Sequence, residues 1–126
     1  MAQTNKQMLI IEDEPAMLRA LRDKFTSEGF DVLEAKNGED GLSVAKTNHP
    51  DIILLDIIMP KMDGLTMLKG LREDSWGAKA NVIILTNLSD GESLSAALKY
   101  GAYDFLVKAD WRLEDVVSKV KEKLQM

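Results

Sequence analysis

The sequence predicts a single α/β domain built on a parallel sheet, with helices on both faces. Short apolar runs alternate along the chain with segments whose apolar residues recur at helical spacing. Two of these runs, DIILLDI (51–57) and NVIILT (81–86), are apolar on both faces, as expected of strands at the centre of a parallel sheet. The length of 126 residues is that of one ordinary domain.

The predicted elements follow one another in order. Strands are predicted at residues 7–11, 30–35, 51–57, 81–86 and 103–107. Pro15 suits the first turn of the first helix, and Gly29 ends that helix. Ser89 and Glu92 form a capping-box pattern for the fourth helix, which Gly101 ends. Apolar residues mark the inner faces of the other helices: Met17, Leu18, Leu21 and Phe25; Leu42 and Ala45; Leu65, Leu68 and Leu71; and Val116, Val117, Val120 and Leu124.

Composition argues against several classes of protein. Sixteen basic and twenty-one acidic residues give a net charge of −5, which argues against direct binding to nucleic acid. The chain has no cysteine, so it has neither a disulfide framework nor a thiolate metal site. No apolar run reaches about 18 residues, and the polar N-terminus has no signal-peptide pattern. We therefore expect a cytoplasmic protein that does not enter the membrane.

Polar residues collect where the predicted strands end. Glu12 and Asp13 follow the first strand, Asp56 lies near the end of the third, Thr86 ends the fourth, and Lys108 follows the fifth. In open parallel sheets, sites form beyond the carboxyl ends of the strands. Three carboxylates at one edge repel one another and need a cation, and oxygen ligands favour a hard ion such as Mg²⁺. We expect Asp56 to be charged and exposed at this rim rather than isolated in the core.

These residue types together are the groups needed to accept a phosphoryl group. A carboxylate takes the group as an acyl phosphate, while a metal ion and a lysine neutralise its charge. Taken singly, each residue has an ordinary explanation. Glu12 and Asp13 can cap the first helix, Thr86 suits a strand as a β-branched residue, and Lys108 can be a solvated lysine.

Four motifs, in this order and on these elements, resemble the receiver domain of bacterial two-component response regulators. They are IIEDE (10–14), LLDIIMPKMDG (54–64), ILT (84–86) and FLVK (105–108). The resemblance covers about residues 7–124. It implies a flavodoxin-like (βα)₅ fold, a three-layer sandwich whose five-stranded parallel sheet has the order 2-1-3-4-5. We expect one receiver domain over residues 1–126 without an output domain, which is either a stand-alone regulator or an excised receiver.

The resemblance assigns the phosphoacceptor and the metal ligands. Asp56 is the implied phosphorylation site. Glu12 and Asp13 are the implied acidic pair that holds Mg²⁺, or Mn²⁺, together with Asp56. Ile58, two residues after the phosphoacceptor, would contribute only its backbone carbonyl to the metal.

The resemblance also implies a switch and its partners. Thr86 would be the switch hydroxyl, Tyr103 the switch aromatic and Lys108 the phosphate-binding lysine, although Tyr103 taken singly would more often be a packing residue. The donor would be a sensor histidine kinase or a phosphotransfer protein. A downstream protein or a second copy would dock on the face formed by helix 4, strand 5 and helix 5. The domain would not be an enzyme in the usual sense, because it catalyses only its own phosphorylation and dephosphorylation.

Several positions depart from the family pattern. Lys108 is followed by Ala109 rather than by proline, and a cis bond to alanine costs about 2.5–4 kcal/mol, so we expect a trans bond. Asn87 follows the switch threonine where the family usually has a small residue. Ile58 and Leu88 carry apolar bulk where other members often have polar side chains. Asn87, Ile58 and Leu88 are therefore candidate modulators of the phosphorylated state.

Three other functions are compatible with parts of the pattern. A flavodoxin-type FMN carrier shares the fold, but the acidic segment EDEPAM (12–17) repels phosphate where such a carrier needs a phosphate-binding loop. A Mg²⁺-dependent phosphohydrolase typically has a second acid two residues after its nucleophile, and that position here is Ile58. A receiver-like interaction module that is never phosphorylated would not need Asp56, Asp13, Thr86 and Lys108 together.

Overall fold

The computed structural model describes residues 5–57, 62–86, 91–102, 104–107 and 112–126, with only the backbone at 86, 91–94 and 107. Strands and helices alternate through these ranges, as predicted, and none of the helices in them is long and apolar enough to span a bilayer. The elements are β1 (Gln7–Ile11), α1 (Pro15–Ser27), β2 (Asp31–Ala35), α2 (Gly38–Asn48), β3 (Ile52–Asp56), α3 (Gly64–Glu73), a 3₁₀ turn (Gly77–Lys79), β4 (Val82–Thr86), α4 (Gly91–Lys99), β5 (Asp104–Val107) and α5 (Leu113–Lys123).

The strands form one parallel sheet in the order β2-β1-β3-β4-β5. This is the order that the family resemblance implied, so that prediction is confirmed. The apolar runs that form β1 and β3 lie side by side at the centre of the sheet, with β2 and β5 at its edges. Central strands of a parallel sheet are covered on both faces, which explains why β3 has no exposed residue.

Two apolar clusters, one on each face of the sheet, make the three-layer arrangement. Alternate residues of β1 and β3 point to opposite faces because the side-chain period of a strand is two. One cluster joins the sheet to α2, α3 and α4 and includes Leu9, Ile11, Ile53, Leu55, Ala45, Leu68, Leu71 and Ala97. The other joins it to α1 and α5 and includes Met8, Ile10, Ile52, Leu54, Leu21, Phe25, Val116 and Val120. Burying each Val, Leu, Ile, Phe or Met side chain among them stabilises the fold by about 1.5–3 kcal/mol.

Several predicted helix ends are present in the structure. Gly29 and Gly101 follow α1 and α4 with φ of 93° and 76°, a region that favours glycine. The side chain of Asn37 caps α2 by accepting a hydrogen bond of 2.8 Å from the backbone N–H of Asp40. The predicted cap Ser89 lies outside the described residues.

Arg72 connects the end of α3 to the end of α4. Its guanidinium donates hydrogen bonds to the backbone carbonyls of Tyr100 (2.6 Å), Gly77 (2.8 Å), Ala80 (2.8 Å) and Gly101 (3.3 Å). Carbonyls at a helix end have no partner within the helix, and a cation there is also favoured by the helix dipole. A single side chain therefore satisfies acceptors from two segments that are far apart in sequence.

Candidate functional site at the carboxyl edge of the sheet

Strand register brings Glu12 next to Asp56. Ile11, the last residue of β1, pairs with Leu55 of β3, so the following residue on one strand is Glu12 and on the other is Asp56. Asp56 in turn pairs with Leu85 of β4. The carboxyl ends of these strands meet at one edge of the sheet, as parallel pairing requires.

The carboxylates of Glu12, Asp13 and Asp56 form a compact cluster. One oxygen of each lies within 4.8 Å of the others. Glu12 is fully buried, Asp56 is 5% exposed and Asp13 is exposed. The expectation that Asp56 would be exposed at the rim is therefore wrong, and only Asp13 opens the cluster to solvent.

The described part of the segment after β3 lies close to the backbone of Asp56. The chain returns over the backbone of Asp56, and a Cβ atom built on Gly64 would lie 2.3 Å from the Asp56 carbonyl oxygen. The backbone N–H of Gly64 donates a 2.7 Å hydrogen bond to the carbonyl of Ile57. Only a residue without a side chain allows this close return.

Glu12 also takes part in the start of α1. Its Oε2 atom accepts a hydrogen bond of 3.2 Å from the backbone N–H of Glu14, the N-cap residue of the helix. The alternative explanation that Glu12 serves the first helix is thus partly correct. It does not compete with a metal role, because a carboxylate has two oxygens that each accept more than one interaction.

The cluster suits a hard divalent cation. It offers only oxygen ligands, the type preferred by Mg²⁺ and also suited to Mn²⁺. Mg²⁺ usually keeps several waters, and the exposed side of the cluster at Asp13 is where solvent can reach an ion. Three carboxylates this close together also repel one another, and a cation would offset that repulsion.

The other predicted site residues are described only in part or not at all. The backbone of Thr86 pairs with Val107 of β5, so the carboxyl ends of β4 and β5 are also aligned. The side chain of Thr86 lies outside the described atoms. The remaining predicted site residues lie wholly outside the described residues, and so does the Lys108–Ala109 bond. These residues are Ile58, Asn87, Leu88, Tyr103 and Lys108.

Two glycines support the site without having been singled out in the sequence. Gly64 lies against the backbone of Asp56, and Gly38 lies against Met62, two residues before Gly64. The sequence signals were the pairs Asn37-Gly38 and Asp63-Gly64, which the pattern of turns and caps explains equally well. Nothing in the sequence alone relates one pair to the other.

Comparison with known families gives a match over most of the chain. The family model described as "Response regulator receiver domain" matches residues 8–121. The probable transcriptional regulator ycf27 of Porphyridium aerugineum is 38% identical over 103 residues, which are 82% of this chain and 42% of the relative. The chain thus spans about two-fifths of the length of this curated relative.

Solved structures give the same result. A CheY-like receiver domain protein of Methanospirillum hungatei JF-1 is similar with a TM-score of 0.86 at 27% identity, over 95% of this chain and 94% of that one. A CheX–CheY complex from Borrelia burgdorferi, named as containing BeF₃ and Mg²⁺, gives a TM-score of 0.84 at 33% identity, over 94% and 89% of the two chains.

Proposed function

Because this chain belongs to the response regulator receiver family, we propose that Asp56 accepts a phosphoryl group in two-component signalling, with Mg²⁺ bound beside it. The observation that carries this proposal is the approach of three carboxylates to within 4.8 Å at one edge of the sheet. Glu12, Asp13 and Asp56 would hold the ion together with the backbone carbonyl of Ile58, and Mn²⁺ would serve in its place.

The proposed reaction moves one phosphoryl group between two side chains. An oxygen of the Asp56 carboxylate forms a bond to phosphorus while the bond from phosphorus to a donor phosphohistidine nitrogen breaks. The electron pair of that bond stays on the imidazole nitrogen. Asp56 becomes an acyl phosphate, and attack by water on phosphorus later restores the carboxylate and releases inorganic phosphate. A bound Mg²⁺ would neutralise part of the charge on the transferred group.

Residues on the last two strands would respond to the phosphoryl group. Lys108 would pair with its oxygens, the Thr86 hydroxyl would turn toward it, and Tyr103 would move inward. The register supports this, since Thr86 pairs with Val107, the residue before Lys108. The energy available for the change is the difference in affinity of the two conformations for the phosphoryl group.

The partners follow from this function. A sensor histidine kinase or phosphotransfer protein would be the donor, encountered in the cytoplasm. A downstream protein or a second copy would dock on the face formed by α4, β5 and α5. The 126 residues would form one receiver domain. Their net charge of −5 is unsuited to direct contact with nucleic acid.

Intact-mass spectrometry tests the phosphoacceptor directly. The protein is incubated with acetyl phosphate or phosphoramidate, with Mg²⁺ or with a chelator. We expect one added phosphoryl group in the wild type with Mg²⁺, and none in Asp56→Asn or with the chelator. Asp51→Asn is a matched control, because Asp51 immediately precedes the same strand and its side chain accepts a 2.8 Å hydrogen bond from the backbone N–H of Gln7, at the opposite end of the strand from the cluster. It should be phosphorylated like the wild type.

Two results would contradict the proposal. An adduct that persists in Asp56→Asn would place the phosphoryl group on another residue. A wild-type protein that is not phosphorylated and also shows no change in its amide spectrum with beryllofluoride and Mg²⁺ would not be a functional phosphoacceptor. The beryllofluoride measurement is needed because small phosphodonors do not react with every receiver.

A further inference from the structure

Gly38 makes an unusually close contact with the turn that follows β3. As the first residue of α2, it donates its backbone N–H to the carbonyl of Met62 at 2.8 Å. A Cβ atom built on Gly38 would lie 2.1 Å from that carbonyl oxygen and 3.0 Å from the carbonyl oxygen of Asp63. Both neighbours are backbone atoms, so they cannot move aside as the end of a flexible side chain can.

The same turn makes a second contact of this kind with Asp56. Gly64 follows Asp63 directly, and its missing Cβ would lie 2.3 Å from the Asp56 carbonyl oxygen and 2.7 Å from the Cα of Ile57. The segment 62–64 is therefore held between the start of α2 on one side and the backbone of Asp56 on the other. Two backbone contacts in series connect Gly38 to Asp56.

We propose that Gly38 is a positioning residue for the carboxylate cluster, acting on Asp56 through the segment 62–64. This inference rests on the proposed function, because its consequence is a change in the binding of Mg²⁺. A side chain at residue 38 would push the Met62 carbonyl toward Gly64, and Gly64 has no free space against Asp56. The Asp56 carboxylate would then move relative to Glu12 and Asp13, and the geometry that Mg²⁺ demands is strict.

Gly41 provides a matched control on the same helix. A Cβ atom there would also meet close neighbours, but these are side-chain atoms of Ile11, Cδ1 at 2.5 Å and Cγ1 at 2.9 Å, rather than backbone atoms. Neither Gly38 nor Gly41 has a positive φ, so alanine is compatible with the backbone at both. Gly38→Ala and Gly41→Ala thus add the same methyl group to one helix. At residue 38 it meets the backbone of segment 62–64, and at residue 41 it meets a side chain of the core.

The first experiment is a Mg²⁺ titration of wild type, Gly38→Ala and Gly41→Ala, followed by the amide signals of Asp13 and Asp56. We expect Gly38→Ala to lose about tenfold in Mg²⁺ affinity, the low end of the loss seen when residues supporting a metal ligand are altered. Gly41→Ala should stay within about twofold of the wild type. Urea denaturation of each variant separates loss of affinity from loss of folded protein.

The second experiment uses the wild type alone, so it does not depend on a variant that folds. Coupling between two sites is reciprocal, so if Gly38 positions the cluster, binding at the cluster must stabilise the Gly38 contact. We expect Mg²⁺ with beryllofluoride to slow hydrogen exchange of the Gly38 amide. The Gly41 amide, which donates to the Asn37 carbonyl at 3.0 Å in the same turn of helix, is the control and should change less.

The outcomes separate this inference from the proposed function. If the wild type binds Mg²⁺ and both alanine variants bind it equally well, or the Gly38 and Gly41 amides are slowed equally, Gly38 is only a structural residue. If the wild type fails to bind Mg²⁺ at all, the proposed function fails and this inference fails with it. A selective loss in Gly38→Ala together with selective protection of its amide supports the positioning role.

Discussion

Replacing Asp13 by asparagine should stabilise the metal-free protein. Asp13, Glu12 and Asp56 have carboxylate oxygens within 4.8 Å of one another, so Asp13 is repelled by two neighbours. Asp13→Asn keeps the shape of the side chain and removes its charge. Because Asp13 is exposed, the amide of the new asparagine is hydrated by solvent.

The size of the effect follows from the distance. At 4.8 Å two unit charges repel by about 0.9 kcal/mol in water and by about 3.5 kcal/mol at an effective dielectric constant of about 20. The exposure of Asp13 favours the lower figure for each pair, so we expect a gain of about 1–2 kcal/mol over both pairs. With a urea m-value of about 1–2 kcal/mol per molar, the unfolding midpoint should rise by about 1 M.

Mg²⁺ should reverse the order of stability. An ion present at 100 times its Kd stabilises the folded wild type by about 2.7 kcal/mol, which exceeds the expected gain of Asp13→Asn. Asp13→Asn loses a ligand, so Mg²⁺ should stabilise it far less. Urea denaturation followed by circular dichroism, in chelator and in Mg²⁺, measures both effects.

Glu73→Gln is the control for removing a negative charge elsewhere. Glu73 is exposed at the end of α3 and forms no ion pair with any residue that the structure describes. Its neutralisation should change stability by a few tenths of a kcal/mol and leave the Mg²⁺ effect intact. If Asp13→Asn is no more stable than Glu73→Gln in chelator, repulsion within the cluster is not a significant term. If Mg²⁺ stabilises both variants equally, Asp13 is not a ligand.

Three further predictions concern other parts of the molecule. Arg72→Ala should lower the free energy of unfolding by about 3 kcal/mol, because it leaves backbone carbonyls without a charged donor and such losses are not additive. In urea denaturation, Arg72→Lys should recover less than half of this loss. Full recovery by lysine would contradict the role of the planar guanidinium. The hydrogen bond from Lys121 at 3.1 Å lowers the pKa of Glu28 below its ordinary value of 4.5. The stabilisation from Glu28 is therefore fully present above pH 4.5 and lost as the pH falls through the lowered pKa. The difference in free energy of unfolding between wild type and Glu28→Gln should shrink in acid. A difference that stays constant with pH would refute this linkage. Finally, Ile58→Asn and Leu88→Gln should each speed the decay of the phosphorylated protein measured by intact mass, since an apolar side chain excludes water that a polar one can orient. If neither variant decays faster than the wild type, the hypothesis that these two residues exclude water is wrong.

The positions of the strand ends could be predicted from the sequence because they depend on local pattern. The apolar runs before Glu12 and around Asp56 are short and uninterrupted, and parallel pairing then requires their carboxyl ends to meet. The order of the strands is different, because pattern alone does not determine which strands are neighbours. That part of the prediction came from the resemblance to a family.

Burial and long-range contacts could not be predicted in this way. Gly64 lies against the backbone of Asp56, and a turn signal in the sequence does not specify how closely a turn approaches a strand. Arg72 is similar, since helical spacing indicates a surface residue whereas its acceptors include Tyr100, 28 residues away. Such contacts exist only once the elements have packed.

The charge of the cluster explains why phosphorylation of Asp56 should require the metal. Three ionised carboxylates at Glu12, Asp13 and Asp56 would carry a total charge of −3 within 4.8 Å of one another. Conversion of Asp56 to an acyl phosphate replaces one negative charge by about two, so phosphorylation alone would intensify the repulsion in a partly buried site. A bound Mg²⁺ reduces the total to about −2 before any lysine is counted. Because coupling is reciprocal, the phosphorylated protein must bind Mg²⁺ more tightly than the unphosphorylated one by the same factor that Mg²⁺ favours phosphorylation. The repulsion that we expect to weaken the metal-free fold would therefore also be the source of the proposed coupling between ion and phosphoryl group.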